Sequence, residues 1–161
     1  MQYRVSRNIE ASIIDFITSE LTSTWNNVSV VKTFQQIKTQ SLPAICVRVG
    51  DTQFTKVQIG DNSLIRTSQV FIDIFATSDG LRLDLIDFLV DIIKEGVVYY
   101  EFEITKANRT SSVTGQDPSG RISVKKIDVT DIDLNIDKSQ LDPRDRYRSL
   151  ITLEIQTGKV E

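Results

Sequence analysis

The stretch from Leu64 to Ala76 constrains the fold more than any other part of the chain. Side chains alternate across a strand, so Val70, Ile72, Ile74 and Ala76 share one face and Gln69, Phe71, Asp73 and Phe75 the other. Large apolar groups on both faces predict a central strand, the longest of the chain, covered from two sides. The strand runs through Thr77-Ser78-Asp79-Gly80 straight into an amphipathic helix, with Ser78 or Asp79 as its N-cap. Leu81, Leu85, Phe88, Leu89, Ile92 and Ile93 form the buried stripe, and Asp84, Asp87 and Asp91 mark the solvated face. Ile86 and Val90 widen the apolar arc beyond what one sheet contact needs, which makes them the candidate subunit interface. Gly96, just past Lys94, stops the helix.

The rest of the chain supplies matching pieces. Ile9, Ile13, Phe16, Ile17 and Leu21 recur at steps of three and four, predicting a first helix from about Ser6 to Trp25 that ends at Asn26-Asn27. Val28 to Phe34 reads as a short strand, and Gln35 to Ser41 as a polar link. After Leu42-Pro43, Ile45, Val47 and Val49 alternate with Ala44, Cys46 and Arg48. Gly50-Asp51 reads as a turn into a further strand around Phe54 to Ile59, and Gly60-Asp61-Asn62 turns the chain again. Val97 to Ile104 is strand-like, Thr105 to Arg121 a long polar loop, and Ile122 to Ile136 a strand with a bulge between Val124 and Ile127. Asp137 to Asp145 reads as a second loop, with Asp142-Pro143 as a turn, before a last strand through Tyr147, Ser149, Ile151, Leu153 and Ile155. Helix, strands, helix, strands, mostly joined by short turns, predict a single α+β domain. It is a mostly antiparallel sheet with two amphipathic helices packed on it, both able to cover one face.

Composition narrows the chemistry. The chain has no histidine and one cysteine, Cys46, in 161 residues. Histidine-dependent triads and Cys/His zinc sites are therefore excluded within the chain. A net charge of −3 argues against a broad basic surface for gripping nucleic acid. A lone cysteine makes no internal disulfide. The N-terminal residues lead into no apolar run, so no signal peptide is expected, and no stretch approaches the roughly 18 apolar residues of a membrane span. No cofactor and no membrane partner is expected.

Two groups of charged residues stand out. Asp131-Ile132-Asp133-Leu134-Asn135-Ile136-Asp137 has oxygen side chains at alternate positions, the spacing of an EF-hand calcium loop. The position that needs glycine is Ile136, and no helix pattern flanks the tract, so strict alternation predicts a strand with Asp131, Asp133 and Asp137 on one solvated acidic face. Lys106, Arg109 and Arg121 flank the long loop, and long loops without structure often dock a partner. The aspartates at 84, 87 and 91 lack any phosphate loop or basic partner and read as a solvated helix face.

Three parts of the chain resemble the tail terminator and neck (head-to-tail connector) proteins of tailed bacteriophages. They are the amphipathic helix from Ile9 to Leu21, the proline-led run Leu42-Pro43-Ala44-Ile45-Cys46-Val47-Arg48-Val49-Gly50, and the strand Thr67 to Phe75 passing through Ala76-Thr77-Ser78 into the helix from Leu81 to Ile93. The resemblance covers about the first hundred residues and implies a subunit of a closed ring, typically a hexamer, with no catalytic residues. Such a ring caps the tail tube, offers the docking surface for the head, and conducts DNA through its lumen without binding it specifically. The implied partners are further copies of the chain, the tail tube protein and head-side neck proteins. The implied location is the virion, after assembly in the host cytoplasm. An acidic balance suits a conduit for a polyanion, and the face of Asp131, Asp133 and Asp137 would line the lumen. The alternatives are another neck component, such as a head-completion or stopper protein, and a small carboxylate- and metal-dependent enzyme.

Overall fold

β3 (Leu64–Phe75) lies between β2 (Ala44–Lys56) and β6 (Arg148–Val160) and is antiparallel to both. This is the computed structural model of the chain, and it describes residues 5–25, 27–60, 62–107, 110–133 and 137–160, without the side chains of 102–119, 138 and 158–160. β1 (Ser29–Val31) adds to β2 in parallel, β5 (Thr110–Ile132) joins β6, and β4 (Val97–Ala107) joins β5. The six strands follow the order β1-β2-β3-β6-β5-β4 in one curled, mostly antiparallel sheet, and the class is α+β.

Register explains where the core sits. Ile72 stands opposite Val47 and Ile151, and Val70 opposite Val49 and Leu153, so one face presents a continuous aliphatic surface. α1 (Val5–Thr24) lays Ile9, Ile13, Ile17 and Leu21 on that face, and α3 (Asp79–Ile93) adds Leu85, Leu89 and Ile93. Each such side chain contributes about 1.5–3 kcal/mol by leaving water. The two helices also meet through Trp25 and Phe88, whose rings stand edge to face with centroids 5.8 Å apart. Ser78 caps α3 by accepting from the Leu81 N–H, and Gly96 ends that segment at φ +90, where a Cβ would fall 2.6 Å from the Ile122 carbonyl oxygen. The opposite face carries a smaller cluster of Val31, Ile37, Ala44, Cys46 and Phe75 beneath α2 (Phe34–Ile37).

Several local expectations change. The link at 35–41 contains α2, nucleated by a capping box in which Thr33 accepts from the Gln36 N–H and Gln36 accepts from the Thr33 N–H. Gly50-Asp51 is not a turn. β2 runs through it with a bulge between Val49 and Thr52, and glycine fits there because a Cβ at position 50 would run into the Phe71 ring.

The segment expected as a loop at 105–121 has strand backbone over 105–107 and 110–121, paired between β4 and β5. Polar composition gave no apolar alternation to read there, yet backbone pairing needs none. The longest strand is consequently β5, not β3. The bulge in β5 falls between Val124 and Lys126, inside the expected interval. The stretch 137–145 holds two 3-10 turns, the second capped by Asp142 with Pro143 behind it. Among the described residues no helix is long and apolar enough to cross a membrane.

Candidate functional site

Of the expected site residues, Ile86 and Val90 differ most from their reading. Ile86 is 8% exposed and belongs to the core, and Val90 packs half-buried against it. The wider apolar arc of α3 is therefore used inside the subunit's own core. The large apolar residue that α3 does expose is Leu83.

The acidic residues do not form one strand face. Asp131 is the penultimate residue of β5 and pairs with Arg82 at 3.4 Å. Asp133 lies just beyond the strand and lines a narrow crevice with Asp131, Arg82 and Arg146. Asp137 accepts from the Ser139 N–H at 3.0 Å, and these Ser139 hydrogen bonds hold its carboxyl below the ordinary aspartate value. Leu134, Asn135 and Ile136 lie outside the described residues. The alternation that suggested a continuous strand stops being backbone pairing at Ile132, where β6 begins opposite at Arg148. Among the described residues no three carboxylate or thiol side chains gather as a metal site would require, and Asp91 is taken by Lys94 at 2.6 Å.

Of the basic group, Arg121 donates to the Glu95 carbonyl at 2.6 Å and so anchors the base of β5 to the end of α3. Lys106 lies on β4 without a described side chain, and Arg109 lies outside the described residues.

The structure assembles a different cluster on the sheet face that α1 and α3 leave open. Asp73, in the middle of the sheet, is 3% exposed. Arg48 of β2 approaches its carboxylate at 3.9 Å and Arg148 of β6 at 3.8 Å. Both guanidinium groups lie over aromatic rings: Arg48 is 4.8 Å from the Phe71 centroid and 5.1 Å from Phe34, and Arg148 is 4.6 Å from Phe75. Arg148 is further tied to Asp145 at 3.0 Å. Asp73 Oδ2, Arg48 Nε and Arg148 Nε have no hydrogen-bond partner, so charge attraction and stacking, not close hydrogen bonds, hold the cluster. Burial pushes the Asp73 carboxyl above its ordinary value, against the pull of the two arginines. Beside it, burial and the Asp73 charge push the Cys46 thiol up to about 11.

Arg148 carries this cluster to the edge of an open cleft of about 610 Å³, which it lines together with Phe75 and Phe34. Phe34, Ile37 and Phe75 supply apolar wall, and Lys38, Asp142, Arg144 and Arg148 supply charged rim. Arg144 donates to the carbonyls of Ile37 and Lys38, clamping the 3-10 segment onto α2. The sequence signal for this site is a carboxylate set among Phe71, Ile72, Ile74 and Phe75, with an arginine inside the equally apolar run of β2. It was legible as an anomaly, but its partners Arg148 and Phe34 are brought in only by strand order.

No protein-family model and no curated protein matches the chain.

Proposed function

We propose that this chain is a structural virion protein without catalytic activity: a tail terminator subunit that assembles with itself into a ring, hexameric as in the proteins it resembles. The ring caps the tail tube, meets head-side neck proteins on its other side, and leaves a lumen through which DNA passes without specific binding.

One observation carries this reading. β5 is shared end to end, its residues 123–132 pairing with β6 and its residues 110–122 pairing with β4. The β4–β5 ribbon is therefore two-stranded over most of its length, and an isolated two-stranded ribbon is marginal in water. A ribbon that receives a third strand, or another surface, from a neighbouring subunit suits a protein built to assemble. The observed order agrees with the three resembling parts: α1, the proline-led β2, and β3 passing directly into α3.

The test is sedimentation and electron microscopy of the purified protein, alone and with tail tubes, with and without EDTA. Rings of uniform size that ignore EDTA, or rings that close at tube ends and halt tube growth, are expected. A protein that stays monomeric at high concentration and leaves tube ends bare would overturn the proposal, as would a Mg²⁺-dependent enzymatic activity.

A further inference from the structure

Six large apolar side chains are exposed among the described residues, and four of them fall in two places. Phe54, Val57 and Ile59 sit on the β2–β3 hairpin, 49%, 46% and fully exposed. Phe34, 42% exposed, stands in the cleft on the open sheet face. The hairpin tip follows Lys56, whereas the cleft is lined by Phe75, which pairs with Ala44 at the opposite ends of the same two strands. At about 3.3 Å per residue those ends are roughly 35–40 Å apart, so the prong cannot reach its own cleft. Two apolar patches at opposite ends of one rigid hairpin are each left uncovered by their own subunit.

We infer that the hairpin prong of one copy, led by Val57 and Ile59, seats in the cleft of the next copy between Phe34, Phe75 and Lys38. The inference rests on the ring reading above and identifies the two unlike patches that a head-to-tail interface needs. The chemistry matches on both sides. The residues from Val57 to Gly60 carry no charge, so their own side chains bring no unpaired ion into the cleft. Lys56 at its base is exposed and meets a rim on which the Asp142 side chain, paired with Arg144 at 3.6 Å, is still 56% exposed. Within the cleft Phe34 packs edge to face on Phe75 at 6.2 Å, and Arg148 lies over the Phe75 ring at 4.6 Å. A closed ring repeats this small contact at every joint, which allows each contact to be modest.

Cysteine crosslinking tests it, because the lone native cysteine is buried and its thiol stays protonated near neutral pH. Chains carrying Ile59→Cys and chains carrying Lys38→Cys are prepared separately, mixed, assembled, and treated with a short bis-maleimide while sedimentation follows assembly. A crosslinked dimer in the mixture and in neither protein alone is the expected result. Assembly without that crosslink, or crosslinking of Ile59→Cys with itself, would overturn the prong-in-cleft contact and leave the ring reading standing. No assembly of the parent protein, alone or on tubes, would overturn both. Val57→Asp/Ile59→Asp changes only exposed side chains, so its thermal melt should match the parent while assembly weakens by roughly tenfold or more. Unchanged assembly of that variant would also reject the contact.

Discussion

Ser12 bonds both backbone groups of Tyr100: its Oγ accepts from the Tyr100 N–H at 3.0 Å and donates to the Tyr100 carbonyl at 3.4 Å. A side chain of α1 thereby stands in for a strand neighbour at β4. Two residues earlier on the same helix, Glu10 accepts from the Val49 N–H at 3.2 Å, at the bulge of β2. β2 and β4 lie toward opposite ends of the strand order, so one helix pins both sides of the curl. Ser12→Ala should lower stability by about 1–2 kcal/mol, since Ser12 is fully buried and both bonds vanish. Urea unfolding measures this, and a change under about 0.3 kcal/mol would show that the helix does not hold the ribbon base.

Gly50 is the second point of close approach. Gly50→Ala places a methyl against the Phe71 ring and displaces a side chain on which Arg48 stacks. A loss of about 1–3 kcal/mol is expected. The loss should shrink when Phe71→Ala is added, because the clash then has no partner. Additive losses in that double-mutant cycle would contradict the contact.

Asp73 sets a pH dependence whose sign is opposite to that of a well-bonded carboxylate. Its folded-state carboxyl is raised above the ordinary 3.8, so the folded protein holds this proton more tightly than the unfolded chain. Stability from this group is present at low pH and is lost as pH rises from about the unfolded value through the raised one. Asp73→Asn lacks that loss. Relative to the parent, the Asn variant should therefore gain ground as pH increases from acid toward neutral. A stability difference between the two that stays flat or moves the other way, measured by denaturant unfolding across pH, would refute the assignment.

Replacing Asp131, Asp133 and Asp137 together by Asn should leave folding nearly unchanged. Arg82 keeps its bonds to Asp79 and Ser149, and an Asn at 137 can still accept from the Ser139 N–H. Exposed substitutions of this kind cost about half a kcal/mol or less. Thermal melts with calcium, magnesium or EDTA should superimpose. A loss of several degrees confined to one metal would instead mark a metal site. If these residues face a lumen, the variant should slow the passage of DNA, because less repulsion remains.

Cys46 should resist alkylation in the native protein. A buried thiol pushed up to about 11 offers almost no thiolate at pH 8. Rapid labelling with a maleimide before any unfolding would show that α2 does not cover it.

Periodicity made α1, α3 and the apolar strands readable, because each buries one stripe or face and the spacing records it. Ser78 and the region of the β5 bulge were legible for the same reason: both are local. The Thr33–Gln36 capping box was also in the sequence, hidden by the brevity of its helix. The ribbon at 105–121 was not legible, since two-stranded pairing outside a core leaves no apolar alternation behind. The exposure of Asp131, Asp133 and Asp137 was legible, whereas the pairing of Asp131 with Arg82 and the crevice shared with Arg146 come from other segments.

By itself, the sequence determined the two long helices and the apolar strands, the face on which their core residues fall, and the absence of histidine chemistry. These follow from short-range sterics and from the periods of helix and strand, which each segment carries alone. The tertiary structure alone decided that β6 enters between β3 and β5, and so brings Arg148 to Asp73. It also decided that the subunit's own core takes up Ile86 and Val90 while leaving Ile59 in water. Strand order and curvature arise from contacts far apart in the chain, where loop closure and packing over the whole sheet outweigh any local preference.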